Sequence, residues 1–152
     1  MTAKPKSEAG MVAPQTAATP RQVLERFYDA ERRYMSGEGS FEETLGTTLA
    51  PDVALHQSPD LPWGGEYVGF ERYEEWAAAM NTVFDWVDVQ DAEFFEQGDK
   101  VVVVCRLVTR VRTTGALIDL PMAQVVTVKS GKITDFRPFY WDVPEYVDAA
   151  HT

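Results

Sequence analysis

VVVVCRLVTRVRTTGALIDLPMAQVVTVKSGKITDFRPFYWD, residues 101–142, decides the fold. It reads as three consecutive antiparallel strands joined by tight turns. Gly98-Asp99-Lys100 leads into the first, Thr113-Thr114-Gly115 separates it from the second, and Ser130-Gly131-Lys132 separates the second from the third. Gly, Asp and Ser are the residues that accept such turns. Just upstream, Val87, Val89 and Ala92 lead into Phe94-Phe95, the close of an earlier long strand. Because side chains alternate along a strand, Cys105, Leu107, Thr109 and Val111 share one face. Arg106, Arg110 and Arg112 share the other, which is expected to be wet or an interface. In the last strand Ile133, Asp135 and Arg137 fall on one side and Thr134, Phe136, Tyr140 and Asp142 on the other, with Pro138 forcing a bulge or an edge.

Helices precede this sheet. Thr19-Pro20-Arg21-Gln22 is a helix start with an N-cap, a first-turn proline and a capping box. Val23, Phe27, Ala30 and Tyr34 then recur on one face, with Leu24 and Met35 beside it. Ser40-Phe41-Glu42-Glu43 predicts a second, short helix ending near Gly46. Residues 52–57 read as a short strand, and residues 58–69 as a Gly- and Pro-rich loop. Phe70, Tyr73, Trp76, Ala77, Met80 and Phe84 define an amphipathic helix. Residues 1–18, rich in Ala, Pro, Thr and Ser, are expected to be a disordered tail, leaving residues 19–149 as one domain.

The totals narrow the function classes. The 152 residues suit one domain, and the net charge of −10 argues against nucleic acid or an anionic membrane as partner. A single cysteine, Cys105, excludes an internal disulfide, and its apolar setting suits a buried hydrophobe rather than a nucleophile. No apolar run approaches the length of a membrane span and no signal peptide is seen, so a cytoplasmic location is expected. No His/Asp/Glu set has ligand spacing, so no metal is expected. Nucleophile-elbow and nucleotide-loop patterns are also missing, and no cofactor is expected.

The order helix, short helix, strand, helix, then four antiparallel strands resembles the NTF2-like (cystatin-like) α+β cone. Within it the chain most resembles the SnoaL-like group, related to polyketide cyclases and ketosteroid isomerases. Pro62-Trp63-Gly64-Gly65-Glu66-Tyr67-Val68-Gly69, Gly131-Lys132-Ile133 and Tyr140-Trp141-Asp142 carry the likeness, which spans residues 20–142. It implies about three N-terminal helices packed on a curved, mainly antiparallel mixed sheet. It also implies an apolar pocket for a small hydrophobic ring compound, and a homodimer using the arginine face or an apolar patch beside it. The activity implied is that of a cofactor-independent isomerase, cyclase or hydratase.

Ketosteroid isomerases use a carboxylate base, with a tyrosine and a protonated acid as oxyanion donors. The corresponding positions fall on Gln57, in register with Val53 and Leu55, and on Gln124, in register with Met122, Val126 and Val128. An amide donates hydrogen bonds but takes no proton at neutral pH. His56 is the alternative base, although alternation turns it away from the pocket and makes it equally a sheet-edge histidine. Asp142 is an acid or base at the pocket rim, or the N-cap of a helix over residues 144–149 with Glu145 closing the box. Tyr28, Tyr34, Tyr67 and Tyr140 are candidate hydroxyl partners, and Trp63, Trp76, Phe84, Trp86 and Phe136 candidate pocket walls; each is otherwise a core aromatic. Epoxide hydrolases of this fold need an Asp-Arg-Asp set, and no Arg-X-Asp occurs on the relevant strands. Two functions therefore stand open: proton transfer by His56 or Asp142 with Gln124 stabilising an oxyanion, or a non-catalytic binding or dimerisation module.

Overall fold

The structure is a computed structural model and describes residues 18–151; the expected tail over residues 1–18 lies outside them except for its last residue. Helix α1 (Pro20–Met35) starts on a closed capping box, with Gln22 N–H donating to Thr19 Oγ1 at 3.1 Å and Thr19 N–H to Gln22 Oε1 at 2.9 Å. Its buried stripe is Val23, Leu24, Phe27, Tyr28, Ala30 and Met35. The Ser40–Glu43 box also closes, at 3.0 and 3.1 Å, but no α-helix follows. Thr44 and Thr48 donate their hydroxyls to the carbonyls of Ser40 and Leu45, which offers the backbone a tighter path. The chain makes turns and a single 3-10 turn, Leu45–Thr47, and enters β1 (Leu49–Gln57) directly.

The connection after β1 contains a strand where the sequence predicts only a loop. Gly64 permits it: a Cβ there would stand 2.1 Å from the Ser58 carbonyl oxygen. The tight 58–64 turn keeps Pro59 and Pro62 out of the ladder, and β2 (Gly65–Val68) pairs antiparallel with β1. Gly69, at φ +91°, then turns the chain into α2 (Phe70–Val83). Four long strands follow: β3 (Phe84–Gln97), β4 (Lys100–Val111), β5 (Leu117–Lys129) and β6 (Lys132–Tyr140). Helix α3 (Val143–His151) comes last.

The sheet order is β2-β1-β6-β5-β4-β3. Only β1 and β6 run parallel, so the sheet is mixed and mainly antiparallel. Register shifts break β3 between Gln90 and Glu93, where Asp91 takes φ 54°, and break the β5–β6 pairing beside Thr127. Such bulges bend the long strands. The second one corrects an expectation. Thr127 pairs with Asp135 and Val128 with Ile133, so Thr134 is the extra residue and Ile133 is buried rather than facing out with Asp135 and Arg137.

All three helices cover one face, and the buried apolar residues form a single cluster between helices and sheet. On the other face the arginines of β4 find partners within the sheet. Arg106 reaches Asp119 at 2.6 Å and Asp91 at 2.9 Å, and Arg110 grips Asp85 at 2.7 Å. Among the described residues no helix is long and apolar enough to cross a membrane.

Candidate active site

A cavity of about 60 Å³ lies between the helices and the sheet. Its floor comes from three neighbouring strands. Gln124 of β5 is in register with Pro138 of β6, and the parallel pairing of Leu55 with Phe136 carries Gln57 of β1 to the far side of the same proline. At ordinary strand spacing the two glutamines stand about 10 Å apart. Both are buried. Each spends its carbonyl oxygen on a tyrosine: Tyr28 Oη donates to Gln124 Oε1, and Tyr140 Oη to Gln57 Oε1 at 3.0 Å. The Gln124 amide nitrogen makes only a long contact, 3.6 Å, with Met122 Sδ, and that of Gln57 has no hydrogen bond among the described residues.

The wall opposite is aromatic and carries one acid. Tyr73, Trp76, Phe84 and Tyr146 line it with Glu31. Tyr146 stacks on Tyr140 at 5.0 Å and on Phe84 at 5.9 Å, and Tyr73 meets Trp76 edge-on at 5.7 Å. Among the described residues the buried indole N–H groups of Trp63 and Trp76 have no acceptor.

Glu31 was not foreseen. It sits on α1 four residues after Phe27 and four before Met35, which puts a carboxyl on the buried stripe. Part of the residue's surface remains accessible, and its carboxyl lines the cavity, crowded by protein. Among the described residues it accepts no hydrogen bond. Burial pushes its pKa up to about 7, the Arg32 charge opposing and Asp88 adding. Arg32 cannot neutralise it, because that guanidinium is drawn to Asp88 at 3.3 Å and Asp29 at 3.6 Å. Burial first, and then the Glu31 charge, hold the Cys105 thiol up at about 11 and the Tyr73 hydroxyl far above its ordinary range. The same carboxylate adds, after burial, to the raised values of Tyr28, Tyr140 and Tyr146. Groups from α1, α2, α3, β4 and β6 thus converge on Glu31.

Of the residues singled out from sequence, Gln57, Trp76, Phe84, Gln124, Phe136 and Tyr140 line the cavity, and Tyr34 and Trp86 do not. Tyr28 stands behind Gln124, packed on Phe27 and Phe94. The catalytic expectation for His56 and Asp142 meets a geometric obstacle, since neither lines the cavity. His56 points to the opposite face, where its ring bridges Glu66 at 2.8 Å and Asp135 at 2.7 Å. Burial presses its pKa down, but the two carboxylates outweigh burial and leave it raised. Asp142 caps α3, its Oδ1 accepting from Glu145 N–H at 3.0 Å. Trp63 packs edge-on against Phe84 and Tyr146 behind the cavity, and Tyr67 donates to the Trp63 carbonyl at 2.9 Å. Tyr73 and Tyr146 are cavity residues that the sequence reading did not select. Both lie on helical apolar stripes, where a ligand-facing ring and a core ring share one pattern.

Residues 24–136 match the SnoaL-like domain family. The chain belongs to that family. No curated protein matches it in sequence. Solved structures share its fold at low identity. An NTF2-like protein of unknown function from Burkholderia pseudomallei K96243 superposes with TM-score 0.74 at 20% identity, covering 89% of this chain and 99% of that one. A protein from Jannaschia sp. CCS1 assigned as a SnoaL-like polyketide cyclase gives 0.71 at 18%, covering 93% and 97%. A protein with a ketosteroid isomerase-like fold from Catenulispora acidiphila DSM 44928, crystallised with trimethylamine, gives 0.68 at 20%, covering 89% and 98%. This SnoaL-like chain is accordingly an α+β NTF2-like cone with an open, six-stranded mixed sheet.

Proposed function

We propose that the cone is the site of a cofactor-independent acid–base enzyme acting on a small, largely apolar compound, with Glu31 giving and taking the proton. The carrying observation is the Glu31 carboxyl: placed in the cavity wall, accepting no hydrogen bond among the described residues, and raised by burial to about 7. A group whose pKa matches the working pH maximises the product of correct protonation and driving force. The amide nitrogens of Gln57 and Gln124 and the hydroxyl of Tyr73 supply donors for charge that develops on a substrate oxygen. At about 60 Å³ the cavity is under half the ~150 Å³ that holds benzene in an engineered core. A ring compound therefore enters only if the aromatic wall opens.

A second reading is a binding module without turnover. The small volume and the replacement of both expected carboxyls by tyrosine-bonded glutamines favour it. One experiment separates the two. Small apolar and ring compounds are screened for a rise in melting temperature on wild type and Glu31→Gln, and each hit is incubated in deuterium oxide and followed by NMR. Deuterium entering a hit with wild type but not with Glu31→Gln supports the enzyme. Binding without incorporation at any pH supports the module and overturns catalysis.

The partner side of the proposal is a homodimer through the outer sheet face. The β4 arginines are occupied within the chain, so the apolar rows beside them form the surface. Val102 pairs with Phe95, and Val104 shares a row with Ala123 and Phe139. Phe95, Val102, Val104, Phe139 and Trp141 are all exposed. Sedimentation of wild type as a dimer and of Phe139→Glu as a monomer is the expected result; a wild-type monomer at micromolar concentration removes the dimer.

A further inference from the structure

We infer that the molecule this cone is built to hold is a small organic ammonium ion, seated on the aromatic rings and paired with the Glu31 carboxylate. This rests on the cone being a ligand site, as proposed above, but not on turnover.

The lining decides the sign of the ligand's charge. Among the described residues no Lys, Arg or His lines the cavity, while one carboxyl does. A carboxylate in such a place lacks a counter-charge, and a positive ligand supplies it. Tyr73, Trp76, Phe84, Tyr140 and Tyr146 surround the same space. Their planes are not parallel throughout: Tyr73 stands at 80° to Trp76, whereas Phe84 and Tyr146 lie within 9° of each other. Aromatic rings of more than one orientation thus make up the wall, although Tyr146 is stacked on Phe84 and Tyr140. Electron-rich aromatic walls beside a carboxylate favour an ammonium group over a neutral one of the same shape. At about 60 Å³ the cavity must widen to take a methylated ammonium group, as it must for a ring compound, so the charge and the aromatic lining, not the volume, choose between them. The chain's net charge of −10 draws cations toward it from a distance.

Pairing with Glu31 makes binding compete with a proton. The titratable and charged groups facing that carboxyl are Tyr28 and Arg32 of α1, Tyr73 of α2, Asp88 of β3, Cys105 of β4, Tyr140 of β6 and Tyr146 of α3. Burial holds the tyrosines and the thiol neutral at pH 6–8, so Glu31 is the group among them that changes charge in that window. Apparent affinity for a cation then falls about tenfold for each pH unit below the Glu31 midpoint and levels off above it.

The full chain is titrated with tetramethylammonium chloride at constant ionic strength, against sodium chloride and tert-butanol, at pH 6 and pH 8, with melting temperature and Trp fluorescence as readouts. The expected result is saturable stabilisation by tetramethylammonium alone, about tenfold weaker at pH 6 than at pH 8. Glu31→Gln should lose at least tenfold in affinity and its pH dependence. Trp76→Leu, which keeps the acid, should weaken binding while retaining the pH dependence; the wild-type pH profile stands as a test even if either variant folds poorly. Equal stabilisation by tert-butanol overturns the ammonium assignment and leaves the ligand site standing. Saturable stabilisation by neither compound, nor by any compound of the wider screen, overturns both. Tetramethylammonium binding that is undiminished in Glu31→Gln places the cation elsewhere and overturns the pairing.

Discussion

Replacing Glu31 by glutamine should stabilise this protein in a pH-dependent way. The folded state holds the Glu31 proton more tightly than the unfolded chain does, its pKa rising from an ordinary 4.5 to about 7 through burial. A group raised in this way contributes its full stability below the unfolded value and loses it as pH climbs through the folded one. At about 1.36 kcal/mol per tenfold change in proton affinity, that loss is about 3 kcal/mol between pH 4.5 and pH 8. The partial accessibility of the residue reduces it to about 2 kcal/mol. Glutamine has nearly the same shape and no proton to lose. Urea unfolding of both proteins at pH 5, 6, 7 and 8 reads the difference directly. The gap in stability should shift by about 2 kcal/mol in favour of Glu31→Gln from pH 5 to pH 8, about 1 M in midpoint at a typical slope. Every other titrating group is common to both proteins and cancels. A gap that stays flat over this range would refute the reasoning, because it would show the Glu31 carboxyl to be solvated like any surface acid. A stabilising substitution that abolishes turnover is also the signature of a residue kept for function at a cost in stability.

Gln124→Leu should cost about 1–3 kcal/mol, because it strands the buried Tyr28 hydroxyl; adding Tyr28→Phe should recover part of it in a double-mutant cycle followed by thermal unfolding. His56→Gln should destabilise by about 1 kcal/mol or less at pH 6 and by less at pH 9. The bridging charge is fully present below the unfolded pKa of about 6.5 and fades as pH rises through the raised folded value; equal loss at both pH values would exclude a charged bridge. Tyr146→Ala should cost about 3–5 kcal/mol and open the cavity to benzene-sized rings, seen as a melting-temperature rise with toluene that wild type does not show.

Strand alternation made much of this legible. The apolar rows of β4 and β5, the capping box at Thr19 and the glycine turns all follow from local chemistry that acts within a few residues. The same periodicity turned Gln57 and Gln124 toward the helices and His56 away from them. Features that depend on a partner strand were harder to read. The extra residue at Thr134 is set by how β5 and β6 meet, and nothing in Lys132-Ile133-Thr134-Asp135 announces it. Likewise β2 exists because Gly64 lets the 58–64 turn close, a steric fact about Ser58 rather than a propensity. Glu31 was readable in principle: an acid spaced four residues from Phe27 and from Met35 contradicts a buried stripe unless it has a purpose. Its neighbours on the helix surface, Arg32 and Arg33, made it look like one more solvated charge.

The parallel pairing of β1 with β6 has a consequence for how the protein is made and handled. It joins segments about eighty residues apart, as in the His56–Asp135 contact, whereas β3 to β6 assemble through hairpins. Loop closure of that length is slow compared with hairpin zipping, so β3 to β6 are expected to form a four-stranded intermediate before β1 docks. In that intermediate β6 is a bare edge carrying Phe136, Phe139 and Tyr140, a template for pairing with another chain. Refolding yield should therefore fall with protein concentration, and rapid dilution should outperform slow dialysis in recovering folded chains.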